Sequence, residues 1–223
     1  MTAAKARALL AEARALLLDF DGPICSVFQG FPAHLVADQL RDLLAQGGYG
    51  ALPDDVQNSS DPFDILTYAA KLGPDEADHV EVAFRAHEVE AVQLAEPTPG
   101  AHELIQAWRA IDRPLAIVSN NSAAAVEVYL KKFDLAHLVD WVSARSSSDS
   151  TLLKPSPHLL DVALRHLRIP ATEAILLGDS ATDVEAAQAI GACSIGYANR
   201  PAKRSMFIAM HADAIVESMI DIV

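Results

Sequence analysis

The chain has 223 residues, of which 51% are hydrophobic and 21% charged, a composition typical of a folded globular protein. Seventeen basic against thirty acidic residues give a formal net charge of -13, which argues against nucleic acid or an anionic membrane as a partner because both would repel the protein. Two cysteines, far apart in sequence, indicate reduced thiols in a cytoplasmic protein rather than a secreted disulfide scaffold. No apolar stretch approaches the ~20 residues that a membrane helix needs.

The first part of the chain predicts one strand followed by a helical insertion. A helix over residues 2–13 leads into the apolar run RALLLDFD (14–21), the first candidate strand. Three helical patterns follow with no strand between them, over 32–48, 61–73 and 75–95. We therefore expect residues 28–95 to form a separate all-helical cap, with EPTPG (96–100) as the return hinge.

Strands and helices alternate in the rest of the chain. Short apolar runs predict strands over 114–121, 139–144, 174–180, 192–198 and 212–219. Helical patterns occur over 101–111, 122–133, 156–167 and 183–191, the third of them with Ser156 as its expected cap. This alternation implies a parallel sheet covered by helices on both faces. The predicted fold class is α/β, with a Rossmann-like core of residues 1–27 and 96–223 into which the helical cap is inserted.

Polar residues stand where three of the predicted strands end. Asp19 and Asp21 end the first, Ser119 and Asn120 the second, and Asp179 the strand over 174–180. Ligands of such sheets bind beyond the carboxyl ends of the strands. Carboxylates without histidine or cysteine at matching positions favour Mg²⁺ over zinc. We therefore expect Mg²⁺ to bind where these strands end.

Two more charged residues belong to the same pattern. Asp183 follows Asp179 by four residues, so both carboxylates can face one point where a loop passes into a helix. Lys154 precedes Pro155, whose ring keeps the lysine out of a regular helix interior. A cation among these carboxylates either balances their charge or holds an anion. Each residue alone is typical of a surface or a helix cap, and only their combination indicates a site.

Four short segments occur in order along the chain: DFDGP (19–23), VSNN (118–121), LLKPSP (152–157) and GDSATD (178–183). With these segments the sequence resembles the haloacid dehalogenase-like hydrolases, in the phosphatase branch with a helical cap. The resemblance extends from about Leu16 to the C-terminus, and the helical insertion lies where that family places its cap. Pro23 and Leu153 depart from the family pattern, at positions that do not carry its core mechanism.

The resemblance implies a role for each matching residue. Asp19 would be the nucleophile that forms an aspartyl-phosphate, and Asp21 the general acid and later the base. Ser119, Asn120 and Lys154 would bind the phosphoryl group of the substrate, with Ser119 and Lys154 also counted as catalytic. Mg²⁺ would be bound by Asp19, Asp21 and Asp179, with Asp21 contributing its backbone carbonyl, and Asp183 would support the metal.

The predicted function is a Mg²⁺-dependent phosphatase that hydrolyses a small phosphorylated metabolite through an aspartyl-phosphate. A phosphoglucomutase-like phosphotransferase remains an alternative because it would use the same aspartates. A non-catalytic binding module on the same fold is less compatible with the intact motifs. Cys25 has no histidine nearby to activate it and is expected to pack structurally. Neither the substrate nor the oligomeric state is indicated by the sequence, although three residues are candidates to line the substrate side: Phe28, Phe31 and His34.

Overall fold

The computed structural model of the protein describes residues 2–223. Within that range the chain forms eight strands: β1 (Ala15–Leu18), β2 (Cys25–Ser26), β3 (Glu96–Pro97), β4 (Leu115–Ser122), β5 (Trp141–Arg145), β6 (Ala174–Gly178), β7 (Cys193–Tyr197) and β8 (Ala214–Val216). Six of them form a central parallel sheet in the order β5-β4-β1-β6-β7-β8. The predicted α/β fold class with a parallel sheet is confirmed.

The same residues contain ten α-helices: α1 (Ala3–Glu12), α2 (Ala33–Gln46), α3 (Asp54–Gln57), α4 (Pro62–Leu72), α5 (Pro74–Leu94), α6 (Ala101–Ala110), α7 (Ala123–Lys132), α8 (His158–Leu167), α9 (Ala181–Ile190) and α10 (Pro201–Ala209). Helices α2 to α5 form an insertion between β2 and β3. These two short strands pair antiparallel, so the chain leaves and re-enters the region of the sheet side by side. The division into a core and a cap at residues 28–95 stays a prediction.

The sheet is buried on both faces, which explains why β1 reads as an uninterrupted apolar run. Successive side chains of a strand point to opposite faces. Leu16 and Leu18 accordingly pack with helices α1, α6 and α7 in one hydrophobic cluster. Ala15 and Leu17 pack on the other face with α8, α9 and the inserted helices α2, α4 and α5. The insertion therefore shares a hydrophobic core with the sheet.

The predicted helices and central strands occur within three residues of their expected bounds. The short helix α3 and the helix α10 were not predicted. Helix α8 begins at His158 with Pro157 at the N-cap position, one residue later than expected, and the hydroxyl of Ser156 accepts the N–H of His158 at 3.4 Å. Helix α9 begins two residues earlier than expected because Ser180 and Asp183 form a capping box. Across residues 2–223, no helix has both the length and the apolar character to span a membrane.

Candidate active site

The candidate site lies at the carboxyl edge of the sheet, around its central strands. β1 lies between β4 and β6, so the ends of these three strands are neighbours. Asp19 directly follows β1, Asp179 directly follows β6, and Ser119 lies in the last part of β4. On one side of β1 the sheet continues with β4 and β5, and on the other side with β6, β7 and β8. Sheets of this type bind ligands at the strand where the order of the strands reverses in this way.

Lys154 connects two of the predicted carboxylates. Its Nζ lies 2.8 Å from Asp19 Oδ1 and 2.6 Å from Asp183 Oδ1, and it donates a hydrogen bond to the backbone carbonyl of Val118 at 3.1 Å. All three charged side chains are buried. Burial opposes the charged form of Lys154, but the two carboxylates outweigh it and raise the lysine pKa above its ordinary value. Lys154 is therefore held as a cation inside the site.

Asp19 is held in one orientation from its own strand end. The N–H of Phe20 donates to Asp19 Oδ1 at 2.8 Å, the same oxygen that Lys154 contacts. Burial raises the pKa of Asp19 well above the ordinary value, the carboxylate of Asp183 adds to that, and Lys154 opposes it. The contact with the Lys154 ammonium is therefore the interaction that favours the charged form of Asp19 in this buried position.

Three carboxylates have the spacing of a single cation site. Oxygens of Asp19, Asp179 and Asp183 all lie within 4.8 Å of one another. An all-oxygen donor set of this kind fits Mg²⁺. In the described residues the carboxylate of Asp21 is not part of this group, and its Oδ1 accepts the N–H of Val27 at 2.9 Å. Any contribution of Asp21 to a metal is left to its backbone carbonyl, as the resemblance implies.

The pKa of the Asp21 carboxyl is raised, as are those of Asp19 and Asp179. Burial raises the pKa of the Asp21 carboxyl to about 6, and the nearby Asp179 carboxylate acts in the same direction. The hydrogen bond from Val27 opposes this shift. A carboxyl with a pKa near 6 is still partly protonated near neutral pH. Proton donation to a leaving group requires this protonated form.

Two glycines allow the carboxylates to approach the backbone. Gly22 has a positive φ of 102°, and a Cβ at this position would collide with the carboxylate of Asp179. Its carbonyl accepts a hydrogen bond of 2.6 Å from the hydroxyl of Thr98, which ties the loop to the chain that follows β3. A Cβ at Gly178 would likewise collide with Asp183. Gly22 therefore has both a turn role and a packing role, and Gly178 has a packing role.

Asp183 serves two purposes at the start of α9. Its Oδ2 accepts the hydroxyl of Ser180 at 2.6 Å and the backbone N–H groups of Asp179 and Ser180 at 3.1 and 3.0 Å. Its Oδ1 pairs with Lys154. The helix cap thus fixes the carboxylate that in turn fixes the lysine.

Ser119 and Asn120 lie close to Lys154 but use their side chains differently. Ser119 is buried, and its hydroxyl oxygen accepts the N–H of Asn121 at 3.1 Å. The Asn120 side chain bonds twice to the backbone of Lys154: Oδ1 accepts its N–H at 2.8 Å and Nδ2 donates to its carbonyl at 3.0 Å. Asn120, predicted to bind substrate, therefore supports Lys154 in the structure.

A cavity of about 670 Å³ opens beside Asp21 and Asp179. Phe28 lines it from the insertion side, whereas Phe31 stacks on His87 and His34 is exposed. Lys203, which was not predicted, also lines the cavity and forms an ion pair with Asp179. The remaining lining residues include polar and basic groups at the start of α10, Asn199 and Arg200. The only sequence signal was three basic residues within five positions of an acidic chain, Arg200, Lys203 and Arg204.

Cys25, in contrast, has no place in the chemistry of this site. It is fully buried and belongs to the hydrophobic cluster around β1. Burial raises the pKa of its thiol well above the ordinary value, so the reactive thiolate is disfavoured. The structure agrees with the structural packing expected for this residue.

Known proteins resemble the chain in both sequence and fold. Residues 16–197 match the sequence pattern described as haloacid dehalogenase-like hydrolase. A phosphoglycolate phosphatase of Cupriavidus necator is 28% identical over 217 residues, which cover 92% of this chain and 89% of that protein. A phosphoglycolate phosphatase of Pseudomonas savastanoi is also 28% identical, but over 44% of this chain and only 37% of its own length.

Solved structures extend the likeness in fold. CbbY from Rhodobacter sphaeroides, crystallised in complex with phosphate, has a TM-score of 0.70 at 20% identity, covering 93% of this chain and 95% of that one. A predicted phosphoglycolate phosphatase from Haemophilus somnus has a TM-score of 0.67 at 19% identity, covering 95% and 96%. At these identities the structures support the fold alone.

Proposed function

The chain belongs to the haloacid dehalogenase-like hydrolase family, and we propose that it is a Mg²⁺-dependent phosphatase that hydrolyses a small phosphomonoester through an aspartyl-phosphate on Asp19. One observation carries the proposal. The Asp19 carboxylate lies 2.8 Å from the buried Lys154 ammonium, within a group of three carboxylates, beside a cavity that Asp21 lines. The arrangement supplies a nucleophile, a cation for phosphoryl oxygens and a proton donor in one place.

In the first step Asp19 attacks phosphorus. A bond forms between its carboxylate oxygen and phosphorus while the bond from phosphorus to the substrate's ester oxygen breaks. Asp21 gives its proton to that leaving oxygen, so an alcohol departs. In the second step Asp21, now a carboxylate, takes a proton from water as the water attacks phosphorus. The bond between phosphorus and the Asp19 oxygen breaks, so inorganic phosphate leaves, Asp19 is a carboxylate again and Asp21 again holds its proton.

The main obstacle to this chemistry is repulsion between a carboxylate and an anionic phosphate. Lys154 offsets part of it from its position beside Asp19, and the Ser119 hydroxyl would donate a hydrogen bond to a phosphoryl oxygen. Bound Mg²⁺ would neutralise further charge on the phosphoryl oxygens, with Asp19, Asp179 and the backbone carbonyl of Asp21 as ligands and Asp183 in support. The packing of Gly22 against Asp179 supports this assignment because it fixes the spacing of the ligands.

We further propose that residues 28–95 act as a cap over the cavity. Phe28, Pro32 and Ala33 line it from the start of the insertion, and Arg200 and Lys203 from the sheet side. The leaving group of a substrate attacked by Asp19 would extend into this space next to Asp21. The named activity of the relatives makes phosphoglycolate the first compound to test.

The experiment is a screen of phosphorylated metabolites with Mg²⁺, including phosphoglycolate, sugar phosphates and p-nitrophenyl phosphate. We expect release of inorganic phosphate from at least one natural compound and none from the Asp19→Asn protein, which should keep its fold by circular dichroism. Products that retain all their phosphate in isomerised form would contradict the hydrolase and support the mutase. Equal activity of Asp19→Asn would overturn the nucleophile assignment.

A further inference from the structure

β4 contains an irregularity directly after Ser119. Ser119 pairs with Ala144 of β5, but the next pairing joins Ser122 to Arg145, so two residues of β4 lie opposite a single step of β5. A bulge of this kind leaves backbone groups without sheet partners and re-aims the neighbouring side chains. Buried groups of this kind need partners from elsewhere.

The partners come from one buried ion pair. Arg145 Nε donates to the carbonyl of Asn120 at 3.1 Å. Glu88 of α5 accepts the N–H of Ser122 through Oε2 at 3.0 Å and the side-chain amide of Asn121 through Oε1 at 3.1 Å. The guanidinium of Arg145 binds the same Glu88 Oε2. Glu88 and Arg145 therefore satisfy the polar groups of the bulge from opposite sides.

The bulge holds two groups of the proposed active site. The N–H of Asn121 binds Ser119 Oγ, and the side-chain oxygen of Asn121 accepts the serine hydroxyl at 3.2 Å. Asn120 binds the backbone of Lys154 with both its amide atoms. Because a carboxylate only accepts hydrogen bonds, Glu88 also decides which end of the Asn121 amide faces Ser119.

We propose that Glu88 is a positioning residue for phosphoryl binding, acting with Arg145 through the β4 bulge on Ser119 and Lys154. This inference rests on the proposed function. A buried ion pair is weak evidence for stability as such, because desolvation cancels much of its Coulomb energy. Its contacts with the bulge, rather than the pairing itself, distinguish Glu88. They also tie the inserted helix α5 to the edge of the sheet that binds phosphate.

The chain offers a matched control on the same helix. Glu81 is buried like Glu88 and binds the same guanidinium, with Arg145 Nη1 2.8 Å from Glu81 Oε1. Its other ion pair, within the described residues, is with Arg85 on α5 itself. Glu81 has no hydrogen bond to the described residues of the bulge. Removing either glutamate leaves Arg145 with one carboxylate, but only removal of Glu88 also removes the hydrogen bonds to Asn121 and Ser122 of the bulge.

The test compares Glu88→Ala and Glu81→Ala with the wild-type protein by calorimetric binding of inorganic phosphate in the presence of Mg²⁺, and by kcat/KM. We expect Glu88→Ala to weaken phosphate binding about tenfold and to lower kcat/KM by about tenfold to hundredfold, as a displaced binding group does. Glu81→Ala should change neither by more than about twofold, although both variants lose thermal stability. Equal losses of phosphate binding in the two variants would overturn the inference.

A second variant covers the case in which Glu88→Ala does not fold. Glu88→Gln retains an oxygen that can accept the Ser122 N–H, so phosphate binding should fall between those of wild type and Glu88→Ala. Hydrogen exchange of the Ser122 amide should be faster in Glu88→Gln than in Glu81→Gln, and unchanged exchange would contradict the role of Glu88. Wild-type protein that binds phosphate but hydrolyses no ester would count against the proposed function only.

Discussion

The two sides of the candidate site differ in how they hold their charges. On the side of the site next to β4, here called the β4 side, the side chain of Lys154 is 3% exposed. It contacts Asp19, Asp183 and the backbone carbonyl of Val118 in β4. On the α10 side Lys203 is 26% exposed and pairs with Asp179 at the wall of the cavity. One lysine is therefore part of a rigid interior, and the other lies where a ligand and solvent can reach it.

The same ion-pair chemistry should therefore have different consequences for stability in the two places. Breaking a buried pair by removing one partner leaves an uncompensated charge and costs about 3–5 kcal/mol. A pair near the surface contributes about 0–1 kcal/mol because water and salt screen it. The β4 side should therefore determine both folding and catalysis, whereas the α10 side should influence substrate binding with little effect on folding.

The largest expected effect is that of Lys154→Met. The variant leaves Asp19 and Asp183 buried without their cation, so we expect the free energy of unfolding to fall by about 3–5 kcal/mol. Where the protein remains folded, kcat/KM should fall about a hundredfold to a thousandfold because a preorganised charge at the phosphoryl group is lost. Urea unfolding and phosphate release measure the two quantities. Unchanged stability would show that Lys154 is not the internal counter-ion described above.

An intermediate effect is expected from Asp21, which lies between the two sides. Its folded pKa of about 6 exceeds the ordinary value of about 3.9, so the native state binds the proton more tightly than the unfolded state. The full contribution of Asp21 to the free energy of unfolding is therefore present below about pH 4, and it is lost as the pH rises to about 6. Asp21→Asn removes this loss and should stabilise the protein by up to about 3 kcal/mol above pH 6.

The measurement is urea unfolding of wild type and Asp21→Asn at several pH values with a chelator present. The two stabilities should converge near pH 4 and separate up to about pH 6. A constant difference across this range would contradict the raised pKa. Asp21→Asn should also lose hydrolysis of poor leaving groups, since it has no proton to give them.

The smallest effect is expected on the α10 side. Lys203→Met should change the free energy of unfolding by less than about 1 kcal/mol and should raise KM by up to about tenfold, since a cation facing an anionic substrate is lost. Arg204→Met is the control, because Arg204 is the next residue of α10 but pairs with Glu217. A loss of stability as large as that of Lys154→Met would contradict the difference between the two sides.

Sequence alone predicted the chemistry at the strand ends better than the contacts that support it. Asp19 and Asp179 follow apolar runs directly, and parallel strands bring such ends together, so their proximity was predictable. Membership of the hydrolase family and the α/β fold were predicted and are confirmed, whereas the phosphatase reaction stays a proposal and the individual roles of the site residues stay predictions. The contacts of Arg145 with Glu81 and Glu88 join residues far apart in sequence and follow no local pattern.

The α10 side shows the same limit for a different reason. Lys203 lies on a helix that was not predicted, in a segment with no motif, and only the tertiary fold places it against Asp179. Asn120 is the converse case. Its place in the VSNN segment indicated substrate binding, but both atoms of its side-chain amide form hydrogen bonds with the backbone of Lys154.

The central claim is that Asp19 becomes covalently phosphorylated during turnover. The most direct test is to quench the reacting enzyme with acid and to locate a bound phosphoryl group by peptide mass mapping. We predict that it is found on the peptide that contains Asp19 and is absent from the Asp19→Asn protein. A phosphoryl group on another residue, or none under conditions in which an acyl phosphate survives and turnover is rapid, would contradict the account.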